Sequence, residues 1–205
     1  MLVIGSKMLN CPILSLHVGG EIAETREAVI DPENLRIIAY TLDGPLLRDP
    51  EYGNILMTDD VREISQNGMI IDSIDRLVNQ EDIIRLNEIM SLNFNLIGLK
   101  VVTQGGKKLG KIVDYTFDSQ SFAIFQLIVQ RPMLASINDP QLTINRSQII
   151  EIDDYKITIK HDKEQVKVKK QTEPTEEEFK PDFVNPFRKP AYDPSSDESA
   201  SSTSE

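Results

Sequence analysis

The chain of 205 residues has no tryptophan, two histidines and one cysteine, Cys11. A single thiol cannot close an intramolecular disulfide, so a reducing, cytoplasmic setting is expected. His17 and His161 have none of the paired Cys/His spacing that builds a zinc site, and no metal or other cofactor is expected. No run approaches the roughly 18 consecutive apolar residues of a membrane-spanning helix. The opening MLVIGSKMLNCPIL has too short an apolar run for a secretory leader. Aromatic residues make up only 6% of the chain, so the core is expected to be one of Ile, Leu and Val.

Lysine is also scarce in the first half, where only Lys7 precedes position 100. Residues 1–90 carry 16 acids and 7 bases, residues 91–170 carry 8 and 12, and residues from 171 carry 9 and 3. The net charge of −11 therefore hides a basic middle segment. Such asymmetry is a statement about surfaces and partners, not about fold.

What is present is 40% apolar residues, enough for a real core, and a pattern that recurs. Residues 11–43 slide onto 98–130 without a gap, placing Gly19 on Gly106, Asp31 on Asp118 and Ile37 on Ile124. AVIDPENLRIIAYTL overlies YTFDSQSFAIFQLIV as strand, polar turn, strand. Residues 56–71 match 144–159 in the same way once one extra residue is allowed. In the turns, Asp31-Pro32-Glu33-Asn34 and Asp118-Ser119-Gln120-Ser121 each begin with an Asp that can cap the backbone. A repeat of short strands and frequent turns points to two small all-β units.

Between the repeats, VNQEDIIRLNEIMSLN (78–93) reads as a helix. Asn79 suits its cap, Glu81 and Asp82 its first turn, and Ile83, Leu86, Ile89 and Met90 form an apolar stripe. Beyond residue 165 the composition turns acidic, Ser-rich and Pro-rich, and disorder is expected over 166–205. Phe179, Phe183 and Phe187 recur every fourth residue there, but Pro181 and Pro186 forbid a helix. With Tyr192 they read as an extended linear motif that docks aromatic rings into a groove.

The stretch QGGKKLGKIVDYTFD (104–118) contains glycines and lysines but not the G-x-x-x-x-G-K-[ST] spacing of a phosphate loop. Lys111 is followed by Ile112 and a strand, so the segment is expected to turn the chain rather than cradle an anion. No G-x-S-x-G elbow is present.

The run GKKLGKIVDYTFD (106–118), followed by a strand pair, resembles the PRC-barrel family. That family's pattern is a glycine turn, a basic or polar pair, an aliphatic residue, glycine, then a strand with an acid near its middle. Here these are Gly106, Lys107, Lys108, Leu109, Gly110, Ile112, Val113 and Asp114. In the first repeat Gly19 and Gly20 remain, but Ala23 stands at the place of Gly110 and Glu27 at that of Asp114. It reads as a degenerate copy.

The resemblance implies a mainly-β chain of two tandem PRC-type β-barrels, residues 1–78 and 94–165, joined by a short helix, 79–93. It also implies a non-catalytic adaptor that binds another protein, in RNA processing or ribosome assembly, with no catalytic residue to carry over. The alternative is a peripheral membrane or cell-envelope scaffold, and an enzyme is the least favoured reading. Lys107, Lys108 and Lys111, with Lys160, Lys163, Lys167, Lys169 and Lys170, offer a basic patch through which residues 91–170 would contact RNA or an anionic membrane. The simpler reading gives those lysines to solubility and to the protection of strand edges. No DNA-binding motif and no small-molecule substrate site is legible.

Overall fold

Alternation of apolar and polar residues over short runs, broken by Gly, Asp and Asn, dictates strands. The computed structural model describes residues 1–49, 51–132 and 140–160. The chain begins with β1 (Leu2–Ile4). A first sheet follows, made of β2 (Pro12–Ser15), β3 (Gly20–Asp31), β4 (Arg36–Asp43), β5 (Ile55–Met57), β6 (Val61–Ser65) and β7 (Gly68–Ile71). A second is made of β8 (Lys100–Thr103), β9 (Lys108–Asp118), β10 (Ile124–Gln130), β11 (Gln141–Asn145), β12 (Ile149–Ile152) and β13 (Lys156–Ile159).

The strand orders are β5-β4-β3-β2-β7-β6 and β11-β10-β9-β8-β13-β12, the same order twice. Each sheet has one parallel pair, β2 with β7 and β8 with β13. Its two end strands do not pair; 3-10 turns at Thr58–Asp60 and Arg146–Gln148 carry the chain from one to the other. Each unit is thus a half-barrel, open on one side, and the mainly-β expectation holds in that form.

The aliphatic-glycine step of the motif is a β-bulge. Ile13 pairs with Ala23 and Leu14 with Glu21, leaving Ile22 as the extra residue; Val101 pairs with Gly110 and Val102 with Lys108, leaving Leu109. Both extra residues pack on the core. Gly110, at φ +154, is required because a Cβ there would lie 2.0 Å from the Gln130 carbonyl oxygen. In the first sheet Ala23 fills that place and Gly44 gives way instead, since a Cβ on Gly44 would meet the Ala23 Cα at 2.8 Å.

The repeat needs one correction. Ile30 pairs with Ile37 and Phe117 with Ile124, as the gapless alignment requires. Ahead of the turn, however, Ile13–Met69 matches Val101–Ile157, one residue out of step with it. The turn is the cause: the first closes Gly19 N–H onto the Ser15 carbonyl, the second Gly106 N–H onto that of Thr103, one residue tighter.

The two half-barrels join about a local pseudo-twofold axis. Ile37 N–H donates to the Phe122 carbonyl at 3.0 Å, and Ile124 N–H to the Leu35 carbonyl at 2.8 Å. Leu35 and Phe122 occupy equivalent places and both have positive φ, 44° and 55°. A left-handed non-glycine residue costs about 1–2 kcal/mol, and here both side chains are driven into the interior. Arg146 adds hydrogen bonds to the Asn34 and Leu35 carbonyls. One continuous apolar core serves both sheets, and β1, within the expected first unit by sequence, pairs with β9 of the second sheet.

The connecting segment departs from the single helix expected over 79–93. A capping box between Asn79 and Asp82 closes a 3-10 turn at Gln80–Asp82. Ile83 then leaves helical geometry at φ −127°, packing towards Ala39, Ile55 and Leu86, and α1 runs only over Ile84–Ser91. The helix covers the outer face of the first sheet, where Leu86 is buried beside Ala39 and Ile55. Arg85 reaches the buried Asp31 carboxylate at 3.0 Å. The acidic tail expected over 166–205 lies outside the described residues.

Candidate functional site

The turn after β1, the outer side of β3, the end of α1, the segment 93–97 and the middle of β9 enclose a cleft of about 490 Å³ where the two sheets meet. Its wall is largely apolar, with Leu9, Met90, Phe94, Ile97 and Val113, and Leu9, Ile97 and Val113 are exposed in it. Val113 is there because β9 bulges: Ile128 pairs with Asp114 but Val129 with Ile112. The acid that the motif places in mid-strand, Asp114, accepts hydrogen bonds from Ser6 N–H at 3.1 Å and Tyr115 N–H at 2.8 Å. It therefore ties the turn after β1 to the second sheet. Glu27, its counterpart, lines the same cleft.

Tyr115 forms one wall, and burial pushes its phenol well above the ordinary range. Gly5 is pressed against its ring, where a Cβ would come within 2.6 Å of it. Among the described residues no group of three His, Cys, Asp or Glu is placed to hold a metal ion. Cys11 is buried, and desolvation raises its thiol. His17 is exposed in the turn after β2.

The stretch GGKKLGK is a turn and a strand start, as expected: Lys107 sits in the turn, Lys108 opens β9 and Lys111 lies on it, all exposed. Edge protection does not account for Lys108 and Lys111, because β9 is an interior strand between β8 and β10. Lys111 faces Lys100 across the ladder, and Lys100 in turn faces Lys156. Neighbouring strands are about 4.8 Å apart, so the three form one tight row on the outer face. Lys100 and Lys156 were missed from sequence, because they reach the row only through the pairing of β8 with β9 and with β13. Lys160 ends the described chain near Gln148. Lys163, Lys167, Lys169 and Lys170, with Phe179, Phe183, Phe187 and Tyr192, lie outside the described residues.

The cleft residues Leu9 and Ile97 had no sequence signal, since segments distant in the chain, around residues 5–9, 27–30, 89–97 and 113–115, meet to form it. No described helix is long and apolar enough to cross a membrane.

Residues 88–170 match the family model of the PRC-barrel domain. The matched residues take in the glycine turn, the bulge and the mid-strand acid of the second sheet, and domains of this family are a class of protein-interaction module. No curated protein matches the chain.

Proposed function

We propose that the protein is a non-catalytic cytoplasmic adaptor in which a PRC-barrel and a diverged copy of it are fused, and that it binds another protein in the cleft between them. The cleft carries this reading: exposed Leu9, Ile97 and Val113 gather around it, rimmed by Asn93, Asn95 and Asp114. An apolar centre within a polar rim is the layout of a protein-binding surface. The lone buried thiol supports the compartment. RNA processing or ribosome assembly is the setting proposed for the partner, by analogy with the family. The test is affinity capture with the full chain against a Leu9→Glu/Val113→Glu variant. Loss of the captured protein at unchanged melting temperature supports the cleft; capture that persists moves the binding surface elsewhere, and the Phe183→Ala/Phe187→Ala variant then tests the tail.

A second reading rests on the row Lys156–Lys100–Lys111. Three cations on adjacent strands suit RNA or an anionic membrane, as a peripheral or cell-envelope scaffold would use. Binding of RNA or anionic vesicles that falls steeply with salt and is lost in Lys100→Glu/Lys111→Glu favours it.

A further inference from the structure

The shared strand order gives every position on the outer face of one sheet a counterpart on the other. Around the bulge, Lys111 corresponds to Glu24 and Lys108 to Glu21, because Ile13–Ala23 and Leu14–Glu21 match Val101–Gly110 and Val102–Lys108. Glu63, reached from Glu21 across Leu14 and Ile70, completes an acidic corner on the first sheet. The corresponding position on the second sheet is Glu151, so the basic corner is not uniformly charged.

Both corners place like charges opposite one another. Lys111 faces Lys100, which faces Lys156, and Glu24 faces Asp43. Directly opposed like charges destabilise a sheet. Compensation is partial: Arg26 holds Asp43 at 2.7 Å and Asp153 approaches Lys156 at 3.5 Å. Among the described residues Glu21, Glu24, Glu63, Lys100, Lys108 and Lys111 have no ion-pair partner. Two built-in repulsions of opposite sign, on equivalent surfaces, are both relieved if one corner meets the other. Apolar contact is at hand too, because Leu16 and Val18 are exposed in the turn between β2 and β3, and Leu14, Ile70 and Val102 are half-buried between the charges.

We propose that the protein associates with itself, the acidic corner of one copy (Glu21, Glu24, Glu63) docking on the basic corner of another (Lys100, Lys108, Lys111). The two corners lie on different sheets of one chain, so the contact is head-to-tail, and the assembly is a closed ring or a short open chain according to the angle between them. Complementary charge chiefly sets specificity and association rate, so the assembly is weak and strongly salt-dependent.

Sedimentation velocity on the full chain tests this. At about 10 mM salt, where screening extends roughly 30 Å, the mean mass should rise with concentration above the 23.2 kDa of the chain. At about 1 M salt, with screening near 3 Å, it should return to the monomer value. Glu21→Lys/Glu24→Lys makes both corners basic, and Lys108→Glu/Lys111→Glu makes both acidic. Each variant alone should lose association by at least about tenfold, and mixing the two should restore it. All four residues are at least partly exposed, so melting temperatures should stay within a few degrees; the neutral pair Glu24→Gln and Lys111→Gln serves if a reversal fails to fold. A wild type that stays monomeric at low salt overturns the proposal. So does association that survives both variants, or a mixture that remains monomeric. If the wild type is monomeric yet RNA or anionic vesicles bind and are released by Lys108→Glu/Lys111→Glu, the lysines serve a polyanion instead.

Discussion

Under helix α1 the outer row of the first sheet is Val29–Ala39–Met57, and its counterpart on the second sheet is Thr116–Gln126–Asn145. The first row is apolar and packs beneath Leu86. The second is polar and stitched side chain to side chain, Gln126 to Asn145 at 3.1 Å and to Thr116 at 3.4 Å. The backbone template is the same; what differs is whether a described element covers it. A covered row drops its hydrogen-bonding groups, because each would need a partner away from water. A row without such a cover keeps them. The two halves are thus one architecture with two surface roles, and variants at matched positions separate what the template needs from what each surface needs.

The largest expected effect concerns the template. Gly110→Ala forces a Cβ against the Gln130 carbonyl at a positive φ, and should cost at least about 3 kcal/mol in urea unfolding. The matched change Ala23→Gly removes only a methyl group and adds backbone freedom, worth about 1 kcal/mol. Equal losses would mean that the close approach of β9 to Gln130 does not distinguish the halves. The covered row comes next. Leu86→Ala empties a buried site above Ala39 and Ile55 and should cost about 3 kcal/mol. Gln126→Ala, in the matched row, should cost less than about 1 kcal/mol. If Gln126→Ala proved as damaging as Leu86→Ala, the polar row would itself be a covered surface in solution.

Much of this was legible in the sequence because repeats constrain each other. Gly19/Gly106, Asp31/Asp118 and Ile37/Ile124 placed two strands and a turn in each half, and the turn chemistry followed from Asp31 and Asp118 alone. The one-residue difference in the turn after β2 was not legible, since both versions end on a glycine of positive φ, Gly19 or Gly106. Nor was the joint between the halves. It depends on Leu35 and Phe122 adopting a conformation that neither residue prefers, and on Arg146 reaching backbone carbonyls over a hundred residues away. The lysine row was only partly visible: Lys111 stands in the glycine-lysine motif, while Lys100 and Lys156 join it only through strand pairing.

A smaller effect, of opposite sign, is expected inside the core. Ala28 faces Tyr40 in the first sheet, and Tyr115 faces Leu127 in the second, so the tyrosine has changed strands. Tyr40 is buried, its hydroxyl has no hydrogen-bond partner among the described residues, and burial pushes its phenol well above the ordinary range. Tyr40→Phe removes that unsatisfied group and should stabilise the protein by about 1 kcal/mol, read as a raised unfolding midpoint. A lowered midpoint would show that the hydroxyl has a partner in solution, such as a trapped water.

The smallest effect separates the two turn aspartates. Asp31 is buried and accepts from Glu33 N–H at 2.9 Å, the Asn34 amide at 3.0 Å and Arg85 at 3.0 Å. Asp118 is partly exposed; it accepts from Ser121 N–H at 2.9 Å, the Ser121 hydroxyl at 3.0 Å and the Met1 ammonium at 3.1 Å. The Ser121 N–H, with that ammonium and hydroxyl, holds the Asp118 carboxyl well below the usual carboxylate range. A carboxylate depressed in the folded state contributes stability that is complete above its unfolded value of about 3.9 and fades as pH falls towards the folded one. Asp118→Asn should therefore lower the melting temperature at neutral pH, by only about 2 °C because solvent screens the group. The wild-type and variant curves should then converge as the pH is taken below about 4. Asp31→Asn, which also strands Arg85, should lower it further at neutral pH. Curves for Asp118→Asn that stay parallel to the wild type down to strong acid would assign the acid sensitivity to another group, and the two turns would then differ in packing alone.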